Sequence, residues 1–383
     1  MDNTFPTLEI MREINAAWPG NRFIDEWKSG GRPVFAFQCT YVPEEIIYAA
    51  GILPVRLSGS LNQSEVNGAN AMMYPNTCSF IRSCLETVLD KKYAFLDGLA
   101  AAATCDCTRR LADVWDYNRI TPFVHVLSVP RKITERAINH YRAELAAFQK
   151  HLEQYTGRGI SADNLNQAIA VYNRRRQLLR ELNELRKQDP PPLSGAEAME
   201  ILNASVMMPP LLFNELLTRL LAEIRQSSRR LTGKFRLMVN GSPLHNPAFI
   251  RAIEEMGGLV VIDELCTGLR YWWEGVDPDP DPLTALARRY LHNFPCARME
   301  PSHDRLERLM RLVRDYRVTG VINQVVHYCI PQTMEQPTQR HMLEDAGVSV
   351  LELDLEYGTG NVGQVSTRVQ AFLEMLERRG APC

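Results

Sequence analysis

Six of the nine cysteines fall into two triplets of similar spacing. Cys39, Cys78 and Cys105 lie in the first half of the chain, and Cys266, Cys296 and Cys329 in the second. The spans Cys39 to Cys105 and Cys266 to Cys329 are nearly equal. Thiolates are soft ligands that suit zinc, copper(I) or iron–sulfur clusters. Gathered from two halves of one chain, they point to a soft-metal cofactor held between two domains, with iron–sulfur foremost. Cys39, Cys105, Cys266 and Cys329 each come at or just after an apolar run of strand character and before a segment of helix character. In an α/β protein that place is the carboxyl edge of a parallel sheet, where sites are built. The plainer alternative is that each thiol is a small buried hydrophobe.

The elements that must position these cysteines are readable from periodicity. From Arg32 to about Lys132, Pro33–Phe37, Ile52–Ser58, the run Phe95–Ala103 and Pro122–Val129 read as strands. Glu44–Ala50, Ser79–Leu89 and Thr108–Trp115 read as helices between them. The pattern recurs from Phe235, with strands Phe235–Asn240, Gly258–Glu264, Val318–Val326 and Val348–Leu355. Helices Pro247–Met256, Leu283–Tyr290, Asp304–Tyr316, Thr333–Ala346 and Val365–Leu376 separate or follow those strands. Strands alternating with helices at this spacing imply parallel sheets. The middle of the chain carries apolar residues at helical spacing only, with Ser161 as an N-cap and Ser194/Glu197 as a capping box. The expected fold is α/β, two Rossmann-like (flavodoxin-like) parallel-sheet domains with a helical segment between them. The boundaries are 1–132, with a short helical lead, 133–232 and 233–383. The halves suggest a pseudo-repeat, without continuous residue identity.

At 383 residues, with 45% hydrophobic and 23% charged residues, the chain has the composition of a soluble protein of two or three domains. A net charge of −2 gives no bulk attraction to nucleic acid or anionic membrane. No apolar run is long enough to span a bilayer, and the first residues lack an apolar signal core, so a cytoplasmic location is expected. A reducing compartment and an odd cysteine count both argue against disulfides.

Other chemistries fit less well. Structural zinc is usually delivered by close pairs, and Cys105/Cys107 and Cys78/Cys84 have no matching second pair. His327, two residues before Cys329, would share its direction on a strand and could form a Cys/His pair, but that leaves five cysteines unexplained. Gly358, Gly360 and Gly363 match a dinucleotide fingerprint that has no following strand to supply the ribose contact. A helix N-terminus there could still hold an anion. Arg174–Arg176, with Glu181 and Glu184 nearby, reads as a solvated helix face.

The local strings Cys39–Leu57 (CTYVPEEIIYAAGILPVRL), Cys78–Glu86 (CSFIRSCLE), Thr104–Trp115 (TCDCTRRLADVW), Glu264–Glu274 (ELCTGLRYWWE), Pro295–Arg298 (PCAR) and Val325–Pro331 (VVHYCIP) resemble the 2-hydroxyacyl-CoA dehydratase/benzoyl-CoA reductase family. Gly363–Leu376 is similar to that family's closing helix, so the resemblance runs over nearly the whole chain. It implies two α/β domains with a cluster between them, fed with low-potential electrons by an ATP-hydrolysing iron–sulfur activator. The positions matching the single 4Fe–4S cluster of dehydratase members are Cys78, Cys105 and Cys329. With Cys39, Cys266 and Cys296 added, the set resembles the double-cubane branch, in which two 4Fe–4S cubanes share a bridging sulfide (8Fe–9S). Each cubane then needs three cysteines, and six are present. Cys84, Cys107 and Cys383 fall outside that pattern and are expected to be non-ligands, although the C-x-C step could bring Cys107 close to iron.

The resemblance thus implies an iron–sulfur oxidoreductase that reduces a small unsaturated substrate or an aromatic acyl-CoA. The alternatives are a subunit of a radical 2-hydroxyacyl-CoA dehydratase, a lyase with one 4Fe–4S cluster, or a non-catalytic electron carrier. No G-x-x-x-x-G-K-[ST] occurs, so nucleotide-driven reduction falls to a separate activator. A homodimer, or a heterodimer with a paralogous subunit, is expected. No residue is identifiable as catalytic acid or base. Thr108, Thr267 and Thr333 are candidates to cap helices or hydrogen-bond sulfur. Arg82, Arg109 and Arg110 are candidates either for surface pairs with Asp106, Asp113 or Glu86 or for a place facing the cleft.

Overall fold

The computed structural model describes residues 5–60, 65–358 and 362–380. In the first half, β1 (Val34–Gln38), β2 (Leu53–Arg56), β3 (Gly98–Ala102) and β4 (Phe123–Leu127) form an all-parallel sheet of order β2-β1-β3-β4. In the second, β5 (Phe235–Gly241), β6 (Gly258–Glu264), β7 (Gly320–Val326) and β8 (Ser349–Leu355) form another, of order β6-β5-β7-β8. Both orders run second, first, third, fourth. The expected pseudo-repeat therefore exists as shared topology. The chain reverses its direction of growth after the first strand of each sheet, which opens a crevice at the carboxyl ends of the first and third strands.

Burial explains why these runs are strands. Every residue of β1, β3, β5, β6 and β7 is buried or nearly so, as parallel strands covered on both faces require. Half-exposed residues appear in β4 and β8, the last strands of their sheets.

Around the first sheet lie α1 (Pro6–Ala16), α2 (Arg22–Ser29), α3 (Glu44–Ala49), α4 (Asn67–Met72), α5 (Ser79–Leu89) and α6 (Asp106–Tyr117). The helical middle is α7 (Glu135–Thr156), α8 (Ala162–Arg186), α9 (Gly195–Ser205) and α10 (Pro210–Gln226). Ser161 and Ser194 cap α8 and α9 in capping boxes. Around the second sheet lie α11 (Pro247–Glu255), α12 (Leu269–Trp272), α13 (Pro282–His292), α14 (Ser302–Asp315), α15 (Ile330–Asp345) and α16 (Val362–Gly380).

One expectation fails in the middle of the chain. Arg174 is exposed beside Glu181, but Arg175 and Arg176 are buried rather than part of a solvated face. They reach Glu44 and Glu45 at the start of α3, and Arg175 donates to Tyr271 Oη at 2.7 Å. Charges this deep persist only when paired and hydrogen-bonded. α8 thus ties the first sheet's α3 to α12 and α13, where Tyr290 Oη donates to Glu45 at 2.8 Å.

Candidate functional site

Cys78, Cys105 and Cys329 are the N-cap residues of α5, α6 and α15. There the unpaired backbone N–H groups and the helix dipole favour negative charge on sulfur. Thr108 fixes the Cys105 turn, its hydroxyl accepting from Cys105 N at 3.2 Å and donating to Cys105 O at 2.9 Å. Thr333 donates to Cys329 O at 3.1 Å. Thr267 instead joins two loops, through Leu244 N and O.

The other three thiols stand on loops. Cys39 follows β1 with φ of 87°, a left-handed conformation costly for a residue with a Cβ. Thr104 donates to its sulfur at 3.3 Å. The Cys266 loop is shaped by Asp263, whose Oδ1 accepts from Leu265 N and Leu269 N. Cys296 lies between α13 and α14, its amide donating to Tyr41 Oη at 3.2 Å.

All six thiols line one cavity of about 660 Å³ between the two sheets. Cys107 lines it too, while Cys84 is packed into the hydrophobic core. Cys383 and Gly360 lie outside the described residues. Within the cavity the thiols divide into groups. Cys78 is electrostatically coupled to Cys329, and Cys105 to Cys107. Cys39, Cys266 and Cys296 interact with one another, and Cys266 also with Cys329. The repeat is imperfect at this level: Cys105 and Cys329 both follow third strands, whereas Cys39 follows a first strand and Cys266 a second.

Burial pushes the thiols of Cys39, Cys266 and Cys296 upward, and Arg56 works against this at Cys39 and Cys266. Arg270 does the same at Cys266 and Cys296. Coupling between these two neighbouring thiols raises Cys78 and lowers Cys329. The Cys105 thiol likewise lowers Cys107.

The cavity's cations are not the ones nearest the cysteines in sequence. Arg82 is buried against Thr77 O, Asn70 and Glu356, and Arg110 pairs with Asp113 on the surface. Arg109 is exposed, and none of the three lines the cavity. Arg56, Arg131, Arg270 and Arg298 do. Arg56 donates to Cys266 O at 2.9 Å and approaches Cys266 Sγ at 3.7 Å, so a residue of the first sheet holds a loop of the second. The Cys/His pair is also overturned. Tyr328, at φ of 65°, breaks the strand alternation, and His327 faces Asp354 and Glu356 at 3.3 and 2.8 Å.

Several lining residues carry buried polar atoms without a hydrogen-bond partner: Gln38 Oε1, Arg270 Nη1, Arg298 Nε and Glu335 Oε1. Orphaned atoms of this kind mark a wall built to meet a bound group. The donor set fits an iron–sulfur group. Among the described residues no three His, Cys, Asp or Glu side chains converge to hold a single ion, as structural zinc requires. Thiols spread over a cavity suit a cluster whose irons are bound one by one.

Two parallel-sheet domains facing each other across a thiol-lined cavity define the class: an α/β protein built around a soft-ligand site. The chain belongs to the family described as 2-hydroxyglutaryl-CoA dehydratase, D-component, which matches residues 39–376. It is 32% identical to YjiM of Escherichia coli K12, a protein named as a dehydratase subunit, over 91% of this chain and 93% of that one. It is 27% identical to one of the subunits of benzoyl-CoA reductase from Thauera aromatica, covering 92% and 93% of the two chains. To the beta subunit of (R)-2-hydroxyglutaryl-CoA dehydratase from Acidaminococcus fermentans it is 25% identical, covering 96% and 98%. Among the described residues no helix is long and apolar enough to cross a membrane.

Proposed function

We propose that this protein is an iron–sulfur reductase that holds a double-cubane cluster in the cavity between its sheets and reduces a small unsaturated substrate or an aromatic acyl-CoA. The observation that carries the proposal is the convergence of all six thiols of the two triplets, from both halves of the chain, on one cavity. Cys78, Cys105 and Cys329 would hold one cubane, and Cys39, Cys266 and Cys296 the other. When bound, such a group supplies one-electron transfer at low potential.

The chain's own residues set the conditions for that chemistry. Arg56, at the end of β2, and Arg270, on α12, both offset negative charge at Cys266. The cavity opens to solvent on one side, where Tyr328, Ile330 and Met334 on its wall are exposed. Glu335 lines the cavity with an unpartnered Oε1, while its other oxygen is held by Gln339 Nε2 and by Arg305.

Electrons come in this proposal from a separate ATP-hydrolysing iron–sulfur activator, because the sequence carries no P-loop. A paralogous or identical subunit completes the assembly; the named relatives are themselves subunits. A second reading, a dehydratase subunit with one 4Fe–4S cluster, is favoured by the names of several relatives. It leaves Cys39, Cys266 and Cys296 without a role.

Cys266→Ala separates the two. In anaerobically purified protein it is expected to lower iron from about eight to about four atoms per chain, leaving the first cubane. Full retention of iron in that variant would overturn the ligand assignment.

A further inference from the structure

Glu264, the last residue of β6, is a buried carboxylate that two arginines share. Arg305, on α14, binds it bidentately, Nε donating to Oε1 at 3.2 Å and Nη2 to Oε2 at 2.7 Å. The same guanidinium pairs with Glu335, which fixes the plane in which Glu264 is held. Glu264 Oε1 then lies 3.2 Å from Nε of Arg270, a cavity residue only 2% exposed. Arg270 Nη2 donates to Gly241 O at 3.0 Å and to Glu264 O at 3.3 Å. Two of the three guanidinium nitrogens are thus held by the ends of β5 and β6. Nη1 is buried without a partner among the described residues. A desolvated N–H on a charged group is unfavourable unless an acceptor meets it. The cavity's acceptors on this side are sulfurs: Arg270 interacts electrostatically with Cys266, Cys296 and Cys329, thiols of both sets. Arg56 differs, since its Nη1 is already on Cys266 O and its Nη2 on Thr40 Oγ1.

We infer that Arg270 donates a hydrogen bond from Nη1 to sulfur of the bound cluster, and that Glu264 is the positioning residue that aims it. This rests on the iron–sulfur reading above and goes beyond it. Hydrogen bonds to sulfur stabilise the more negative, reduced state of a cluster and so raise its potential. As a nearby anion, Glu264 by itself would lower the potential; by holding Arg270 in place it raises it.

The test uses protein purified without oxygen, with iron per chain and the cluster's midpoint potential read together. Arg270→Gln is expected to shift the midpoint downward at unchanged iron. Glu264→Gln is expected to shift it downward as well, and the double variant to match Arg270→Gln alone, because Glu264 acts only through that arginine. An upward or absent shift in Glu264→Gln, or a Glu264→Gln shift that persists in the Arg270→Gln background, overturns the inference. A second readout needs no substitution at Glu264. In protein labelled with nitrogen-15 arginine, pulsed EPR of the one-electron-reduced cluster is expected to show a weak nitrogen coupling that diminishes in Arg270→Lys. No arginine coupling in the wild type, or one unchanged by Arg270→Lys, overturns the inference even where the Glu264 variant loses iron or fails to fold. Wild-type protein that holds no iron as purified brings down the reductase reading, and this inference with it; full iron with an unmoved midpoint in Arg270→Gln brings down the inference alone.

Discussion

Arg56 carries more of the site than any other residue apart from the cysteines. From the end of β2 its guanidinium donates to Cys266 O and approaches Thr40 Oγ1 at 3.3 Å, so one buried cation both fixes a loop and faces sulfur. Arg56→Gln is expected to cost about 2 kcal/mol of stability, the scale of a buried hydrogen bond to a charged group. It should also lower the reduction potential at unchanged iron content, because a cation beside an anionic centre is lost. Urea unfolding and a potentiometric titration check the two parts separately. The cysteines were legible in the sequence because the residue type is rare and its spacing repeats. The arginines were not. Arg82 and Arg109 lie near Cys78 and Cys105 along the chain yet turn away, while Arg56 reaches Cys266 across the interface. Only tertiary structure decides which of many cations faces a cavity.

At the scale of elements, periodicity located every strand to within a few residues, since fully buried parallel strands leave unbroken apolar runs. β6 and α5 have the limits expected. Three features escaped. α12 is four residues long and α4 is six, too short to show a period. The buried arginines of α8 carry a surface-like pattern because their partners, Glu44 and Glu45, are distant in sequence. The hand-over from β5 to its loop depends on Gly241, at φ of 119°, where an added Cβ would run into the Gln324 carbonyl oxygen. Gly241 also lines the cavity. Gly241→Ala is expected to cost roughly 3 kcal/mol or more, from strain and a backbone clash together. Gly257, at φ of 97° with open space around it, gives the contrast. Gly257→Ala should cost only about 1 kcal/mol of left-handed strain. Equal losses in thermal unfolding would mean that the Gly241 contact relaxes freely.

At the scale of the molecule, the two halves are joined around the cavity by contacts from both. One is His245, buried after β5, whose Nε2–H donates to Gly59 O at 3.2 Å and whose Nδ1 accepts from Tyr357 Oη at 2.7 Å. Burial lowers its pKa from 6.5 to about 3, so the folded protein holds it neutral. Between those values the unfolded chain binds the extra proton, and stability therefore rises with pH across that window and is lost as pH falls through it. Melting temperatures measured from pH 7 to pH 4 should drop, and His245→Gln should flatten the drop while lowering stability at pH 7. A parallel fall in the variant would place the acid sensitivity elsewhere. With no P-loop in the sequence to couple nucleotide hydrolysis to reduction, ATP and a mild reductant alone should give no turnover, and addition of an activator should restore it. The substrate was never legible in the sequence, because the cavity wall is assembled from loops of both sheets. The most direct measurement of the central claim is iron and acid-labile sulfide per chain in the protein purified without oxygen. About eight irons with a comparable count of sulfide is the expected result. About four irons would make it a single-cubane protein, and none would remove the iron–sulfur site altogether.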